Sequence, residues 1–256
     1  MTGRSLIVAR KEIVDHLRDG RSLLSGALYS LMGPLVVMAV SAGPTGDKPA
    51  LLLSMMSVFA LVSVFTGGMA VAMDITAGER ERGSLVPLLL TRVARRDLVI
   101  GKWLATCAFA LGALALNIAG VVAVITLRAP EHLTANAAPL AWWVLLGLAP
   151  LACLAAAVEL FVSTTCRTMK EANTALTFVV FVPMLVGMLL VFYPMSGNGW
   201  LALPVVGQQI VVERALRGAP VEVMQGVMLA LMTVVAAVPA LAGAARVLSR
   251  DDRLAA

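Results

Sequence analysis

The sequence has little from which a metal centre or a disulfide framework is built. Its two histidines, His16 and His132, lie far apart, and its three cysteines, Cys107, Cys153 and Cys166, sit in or beside apolar runs with no close pair along the chain. Cysteines so placed read as small buried hydrophobes. Charge is scarce as well: 14% of the residues are Asp, Glu, Lys or Arg, where a soluble domain carries about a quarter. The phosphate-cradling pattern G-x-x-x-x-G-K-[ST] is absent, and its nearest fragment, Gly101-Lys102, is followed by Trp103 and begins an apolar run. No apolar run carries the paired acids or spaced histidines of an intramembrane enzyme. Nor does any carry the mid-membrane charge pairs expected of an ion-gradient-driven transporter, which stands as the less favoured alternative. The opening MTGRSLIVARKEIVDHLRDGR is too interrupted to serve as the apolar core of a cleavable signal.

What is present is hydrocarbon. Hydrophobic residues make up 60% of the chain, and the mean hydropathy is +0.91. Six apolar runs, at about 22–41, 51–73, 103–127, 139–162, 172–193 and 224–248, are each long enough for a bilayer crossing, which takes about 20 residues. The predicted fold is therefore all-α: a polytopic membrane protein forming one transmembrane domain over 1–256. The pieces between the runs are too small for another domain. The net charge of +5 does not point to nucleic acid, because in such a chain the distribution of Lys and Arg matters more than their sum. With the N-terminus in the cytoplasm, sixteen basic residues fall inside and four (Lys48, Arg128, Arg214, Arg217) outside. That bias puts both termini in the cytoplasm, with the protein in the inner membrane of a prokaryote. Trp142, Trp143 and Trp200 then lie near the outer surface and Trp103 near the inner one.

The first residues suggest an amphipathic interfacial helix. Leu6, Ile7, Ala9, Ile13, Val14 and Leu17 share one face, and Arg4, Lys11, Glu12, Asp15, Arg18 and Asp19 the other, with Arg10 as the exception. Gly20 ends it. The stretch DITAGERERGSLVPLLLTRVARRDLVIGKW concentrates charge between two apolar runs. Ala77-Gly78 is expected to bend the chain there. Glu79-Arg80-Glu81-Arg82 reads as a self-neutralising set facing water or another protein. Ser84 is placed to cap a short helix whose first turn tolerates Pro87 and whose apolar side is Leu85, Leu88 and Leu89. Arg92, Arg95 and Arg96 follow as a basic anchor. Such a helix suits docking into a groove of a soluble partner, and it equally suits a solvated loop that only fixes topology.

This stretch resembles the first cytoplasmic loop of type-2 ABC exporter permeases, most closely the sodium-efflux branch, whose GERERGTLEPLLxTPVSRxxxxxGKxxA-like pattern is matched here by GERERGSLVPLLLTRVARRDLVIGKWLA. STTCRTMKEANTA is similar to the family's ARSxKEAxT turn. LPVVGQQIVVERALRG is similar to the segment before its last helix, and ARKEIVDHLRDGRSLL to its N-terminal interfacial helix. The chain departs from the pattern at Val86, where the branch often has Glu, and at Arg92, where it often has Pro. Its first outer link is also short, SAGPTGDKP, where sodium-efflux relatives often carry a large region. The resemblance implies a permease without its own ATP site or cofactor. A separate ATPase would hold ATP and Mg, two permeases (identical or paralogous) would act with two ATPases, and the loop would be a coupling helix using Glu79, Arg80, Glu81, Arg82, Ser84, Leu85, Leu88 and Leu89. It also implies export, of sodium or another small cation first, with a hydrophobic drug, peptide or lipid-like molecule as the alternative.

For a translocation path the membrane runs offer Asn117 and Glu159. Asn117 sits mid-run beside Gly112 and Gly120, in GALALNIAG, whose small residues suit close helix packing. Glu159 lies 17 residues after Trp142, about 25 Å along a helix and close to the inner interface. There it either pairs with Arg167 or Lys170 or serves cation passage or gating. Pro150 and Pro183 are expected to kink their helices. The outer segment 194–223 either dips into the outer leaflet and closes the exit, or forms an ordinary surface helix.

Overall fold

The computed structural model describes residues 3–41, 49–85, 87, 93–128, 137–193, 199–217 and 222–255. Every long element is helical: α1 (Gly3–Arg18), α2 (Gly20–Ser41), α3 (Pro49–Met73), a π-helical turn (Asp74–Gly78), α4 (Glu79–Glu81), α5 (Arg95–Arg128), α6 (Ala137–Thr165), α7 (Met169–Phe192), α8 (Val206–Leu216) and α9 (Val223–Ala255). Five stretches among the described residues are long and apolar enough to cross a membrane: Ser54–Glu81, Arg95–Val124, Val144–Thr165, Met169–Phe192 and Val223–Ser249. Gly26–Val36, within the 22-residue α2, is a shorter apolar stretch that answers to the first predicted run. The helices overrun their predicted ends. The second predicted run stops at 73, yet the helix continues through the π turn to Glu81, and α5 begins eight residues before Trp103.

The core is aliphatic and closely spaced. Leu61, Val64 and Phe65 of α3 meet Ala110 and Leu114 of α5, Leu148, Leu151 and Ala155 of α6, and Val212 and Leu216 of α8. Small residues allow the approach. A Cβ on Gly67 would lie 2.2 Å from the Ala113 Cβ, and one on Gly120 would lie 2.7 Å from the Pro34 ring. α6 runs through Pro150 and α7 through Pro183 without ending.

α1 is amphipathic as expected: it turns Ser5, Ala9, Glu12 and His16 to the protein and leaves Leu6, Ile7 and Leu17 of its apolar face exposed. That face is free of the bundle, as an interfacial helix requires. Lipid is as apolar as leucine, so burying those side chains against the bundle gains little, whereas small and polar residues can approach closely and bond. Of the two readings of the outer segment the surface helix is not met, because α8 is buried. Gln208, Gln209, Ile210, Val211, Val212, Ala215 and Leu216 are buried, among residues of α3, α6, α7 and α9. Its glutamine amide nitrogens find hydroxyl partners inside the bundle, while Gln209 Oε1 has none among the described residues. Gln208 Nε2 donates to the Thr233 hydroxyl of α9, and Gln209 Nε2 donates to Ser57 Oγ of α3 at 2.7 Å. Gln208 Oε1 accepts the Val205 N–H at 2.7 Å, tying off an otherwise unpaired donor at the helix start. At the other end Glu213 accepts from Ser54 Oγ (2.9 Å) and pairs with Arg217 (2.7 Å).

Candidate functional site

The charge-rich stretch does not bend at Ala77-Gly78. Both residues are buried inside a continuing helix, and the stop comes five residues later. Gly83 has φ +69°, in the left-handed region that glycine enters freely. Its N–H donates to the Arg80 carbonyl (3.0 Å), and the Ser84 N–H donates to the Glu79 carbonyl (2.9 Å). That pair of bonds is the Schellman ending of a helix. Ser84 Oγ also donates to the Glu79 carbonyl, at 3.2 Å.

Because the stretch is helical, its four consecutive charged side chains point about 100° apart and reach different neighbours. Each makes a contact outside the set of four. Glu79 accepts from Lys102 Nζ of α5 at 2.8 Å. Arg80 donates to the carbonyls of Thr164 (2.8 Å) and Cys166 at the end of α6. Glu81 accepts the Met169 N–H, the first of α7, at 2.7 Å. Arg82 folds back on Asp74 at 2.7 Å, and this hydrogen bond raises the Arg82 pKa above its ordinary value. Gly78 leaves the room for it: a Cβ there would lie 2.9 Å from Asp74 Oδ1. One turn deeper, the Thr76 and Ser163 hydroxyls bond each other. The turn after α6 is itself capped, with Thr168 Oγ1 accepting from the Glu171 N–H (3.2 Å) and Glu171 accepting from the Arg167 N–H (2.8 Å). Two motifs 80 residues apart, GERERG and STTCRTMKEA, thus form one platform.

Lys102 is the residue that sequence reasoning passed over. It is 1% exposed, and its ammonium donates to the Ile75 carbonyl in the π turn (2.6 Å), to Glu79 (2.8 Å) and to Glu12 of α1 (3.4 Å). Around it His16 of α1 lies 3.3 Å from Asp74, and Ser5 Oγ donates to Asp97 at 3.0 Å. The signal was the pair Gly101-Lys102. The glycine lets α1 approach so closely that a Cβ would lie 2.6 Å from Val8, and the lysine beside it then reaches Glu12. Of the other predicted coupling residues, Leu85 is buried with Val71, Leu98 and Leu248. Leu88 and Leu89, with Arg92, lie outside the described residues. Glu81, Arg82, Ser84 and Pro87 remain exposed, as do Arg167 and Lys170 across the platform.

The two membrane candidates are not brought together as a path. Pro34 has no N–H, so the carbonyl four residues earlier, on Ser30, loses its helical partner. Asn117 Nδ2 of α5 donates to that carbonyl at 2.8 Å. Asn117 is therefore a brace between α2 and α5, with Oδ1 lacking a hydrogen-bond partner among the described residues. Glu159 is fully buried and neither carboxylate oxygen has a hydrogen-bond partner among the described residues. The expected pairing with Arg167 or Lys170 is not made, and both of those are exposed. Gly68 of α3 makes its space: a Cβ there would lie 2.6 Å from Glu159 Oε2.

A cavity of about 1030 Å³ opens between α1, α2, α3, α5 and α7, at the upper end of the ligand-pocket range of about 300–1,000 Å³. Leu17, Leu23, Met69, Phe109, Leu116 and Met184 set its character, and Tyr29, Ser30, Thr66, Asn173, Thr177 and His16 supply scattered polar groups. Neither Asn117 nor Glu159 is on its wall.

The described residues form an all-helical, multi-pass membrane bundle in which the end of one span is locked to the turn between two later ones. The family described as ABC-2 family transporter protein matches residues 6–253, and the chain belongs to it. The chain is similar to the ABC transporter permease protein NatB of Bacillus subtilis (strain 168), 31% identical over 160 residues. The match covers 60% of this chain and 42% of NatB, so the chain spans less than half the length of the curated relative it matches.

Proposed function

We propose that this chain is the membrane half of an ATP-driven exporter, with the nucleotide chemistry on a separate ATPase that docks against the exposed side of the platform. The observation that carries the docking site is the fastening of Glu79, Arg80, Glu81 and Arg82 to α5, α6, α7 and the π turn. A partner pressing on that surface moves several helices together. The substrate is a hydrophobic or amphiphilic molecule taken from the inner leaflet, and the support for it is the large apolar cavity beside α1. Two permeases with two ATPases complete the working unit.

Export of a small cation, sodium first, is the second reading, favoured by the unpartnered carboxylate of Glu159. A cation leaving water needs oxygen ligands to replace its hydration shell. One experiment separates the two. The permease, copurified with its ATPase and placed in proteoliposomes, is tested for ATP-driven sodium efflux and for ATP-driven movement of a fluorescent amphiphile. Amphiphile movement without sodium movement is expected. Sodium efflux abolished by Glu159→Gln would reverse the order of the readings, and failure of any P-loop ATPase to copurify would remove the exporter function.

A further inference from the structure

We infer that α1 and the cavity behind it form a binding site for an anionic phospholipid of the inner leaflet, with the phosphate on Arg10 and an acyl chain in the cavity. This rests on the cavity being open to the leaflet, as proposed above, and names what enters it. Three observations converge. Leu6, Arg10, Ile13 and Leu17 recur at i, i+4, i+7 and i+11, so they form one stripe of α1. Leu6 is 55% exposed and Leu17 55% exposed, and Ile13 and Leu17 are also on the cavity wall. The stripe that carries Arg10 therefore runs directly into the cavity.

Arg10 is exposed in the middle of this apolar stripe, and no carboxylate among the described residues pairs with it. Its neighbour Lys11, by contrast, is taken up by Glu12 (3.3 Å) and Asp15 (3.7 Å). An arginine on a lipid-facing stripe lays its stem along hydrocarbon and lifts its guanidinium to headgroup depth. There the planar fork matches a phosphate with two parallel hydrogen bonds, and anionic lipids of the cytoplasmic leaflet are drawn to such cations. Among the described residues the cavity wall carries no carboxylate, and its histidine, His16, is engaged by Asp74. A wall of that kind suits a chain better than an ion, which puts the ligand's charge at the rim where Arg10 stands.

The test is native mass spectrometry of the permease with its ATPase, released from nanodiscs holding equal amounts of phosphatidylglycerol and phosphatidylcholine. Wild type is expected to retain phosphatidylglycerol preferentially. Arg10→Gln should lower the ratio of the two retained lipids about fivefold, while Arg18→Gln, off the stripe, leaves it unchanged. Gly112→Leu narrows the cavity and should lower retention of both lipids. Gly112 is on the wall and a Cβ there meets nothing within 4 Å, so the fold tolerates it. Retention of no lipid by wild type, an unchanged ratio in Arg10→Gln, or loss of a second permease copy rather than lipid in Gly112→Leu would each overturn the site. Retention as expected, with no ATP-driven amphiphile movement in proteoliposomes, would uphold the site and count against amphiphile export.

Discussion

The two ends of this bundle are fastened by different chemistry. At the end that holds α1 and α4, charges do it: Lys102 between Glu12 and Glu79, Arg80 on the last carbonyls of α6, Glu81 on the first N–H of α7. At the opposite end α8 is held within the bundle by neutral groups, Gln208 to Thr233 and Gln209 to Ser57, and an ion pair enters only at its exposed terminus. The magnitudes differ accordingly. Removing one partner of a buried ion pair costs about 3–5 kcal/mol, because the other charge is left stranded. A neutral hydrogen bond between membrane helices averages about 0.6 kcal/mol. The charged end therefore behaves as one body and the neutral end as several small contacts.

The comparison breaks most readily at Lys102. Lys102→Met should lower stability by about 3–5 kcal/mol, read as a fall in the thermal midpoint of the detergent-solubilised protein. Adding Glu12→Gln and Glu79→Gln, which removes the stranded charges, should recover most of it. An unchanged midpoint in the single variant would show that the ionic node holds nothing together. A smaller loss is expected at Gly83, where φ is +69°. Gly83→Ala should cost about 1–2 kcal/mol, measured the same way, and a gain in stability would contradict the helix ending there. Asn117→Leu strands the Ser30 carbonyl behind Pro34 and should cost about 1 kcal/mol. The double variant Pro34→Ala/Asn117→Leu should largely escape that loss, because the alanine restores an N–H; an equal loss would sink the brace. The smallest effect belongs to the end that holds α8. Gln209→Leu gives up one bond to Ser57 but also removes a carbonyl oxygen that has no partner among the described residues. Stability should shift by no more than about 1 kcal/mol, and a loss comparable to that of Lys102→Met would erase the difference between the ends.

Hydropathy carried the spans well, since α3, α5, α6, α7 and α9 each fall on an apolar run of the expected length. The sides of the helices were harder to read. α1 was legible as amphipathic, but in a bilayer its leucines face lipid and Ser5, Ala9, Glu12 and His16 face protein, the reverse of a soluble helix. α8 looked like a surface helix because of its glutamines and charges, whereas in the bundle those amides reach hydroxyls on α3 and α9. For the platform, the motifs were visible and their joining was not. Nothing in the spacing of GERERG and STTCRTMKEA says that Arg80 reaches the Thr164 carbonyl or that Glu81 caps α7. The free Ser30 carbonyl could be anticipated from Pro34 alone. Its partner on α5 could not.

The seat of the ATPase is tested most directly by hydrogen exchange on the permease with and without the copurified ATPase. Residues 79–87 and 163–171, far apart in sequence and joined in the platform, should gain protection together when the ATPase binds, while 206–216 in α8 should not. Protection of neither segment, or of the α8 segment in their place, would contradict the platform as the coupling surface.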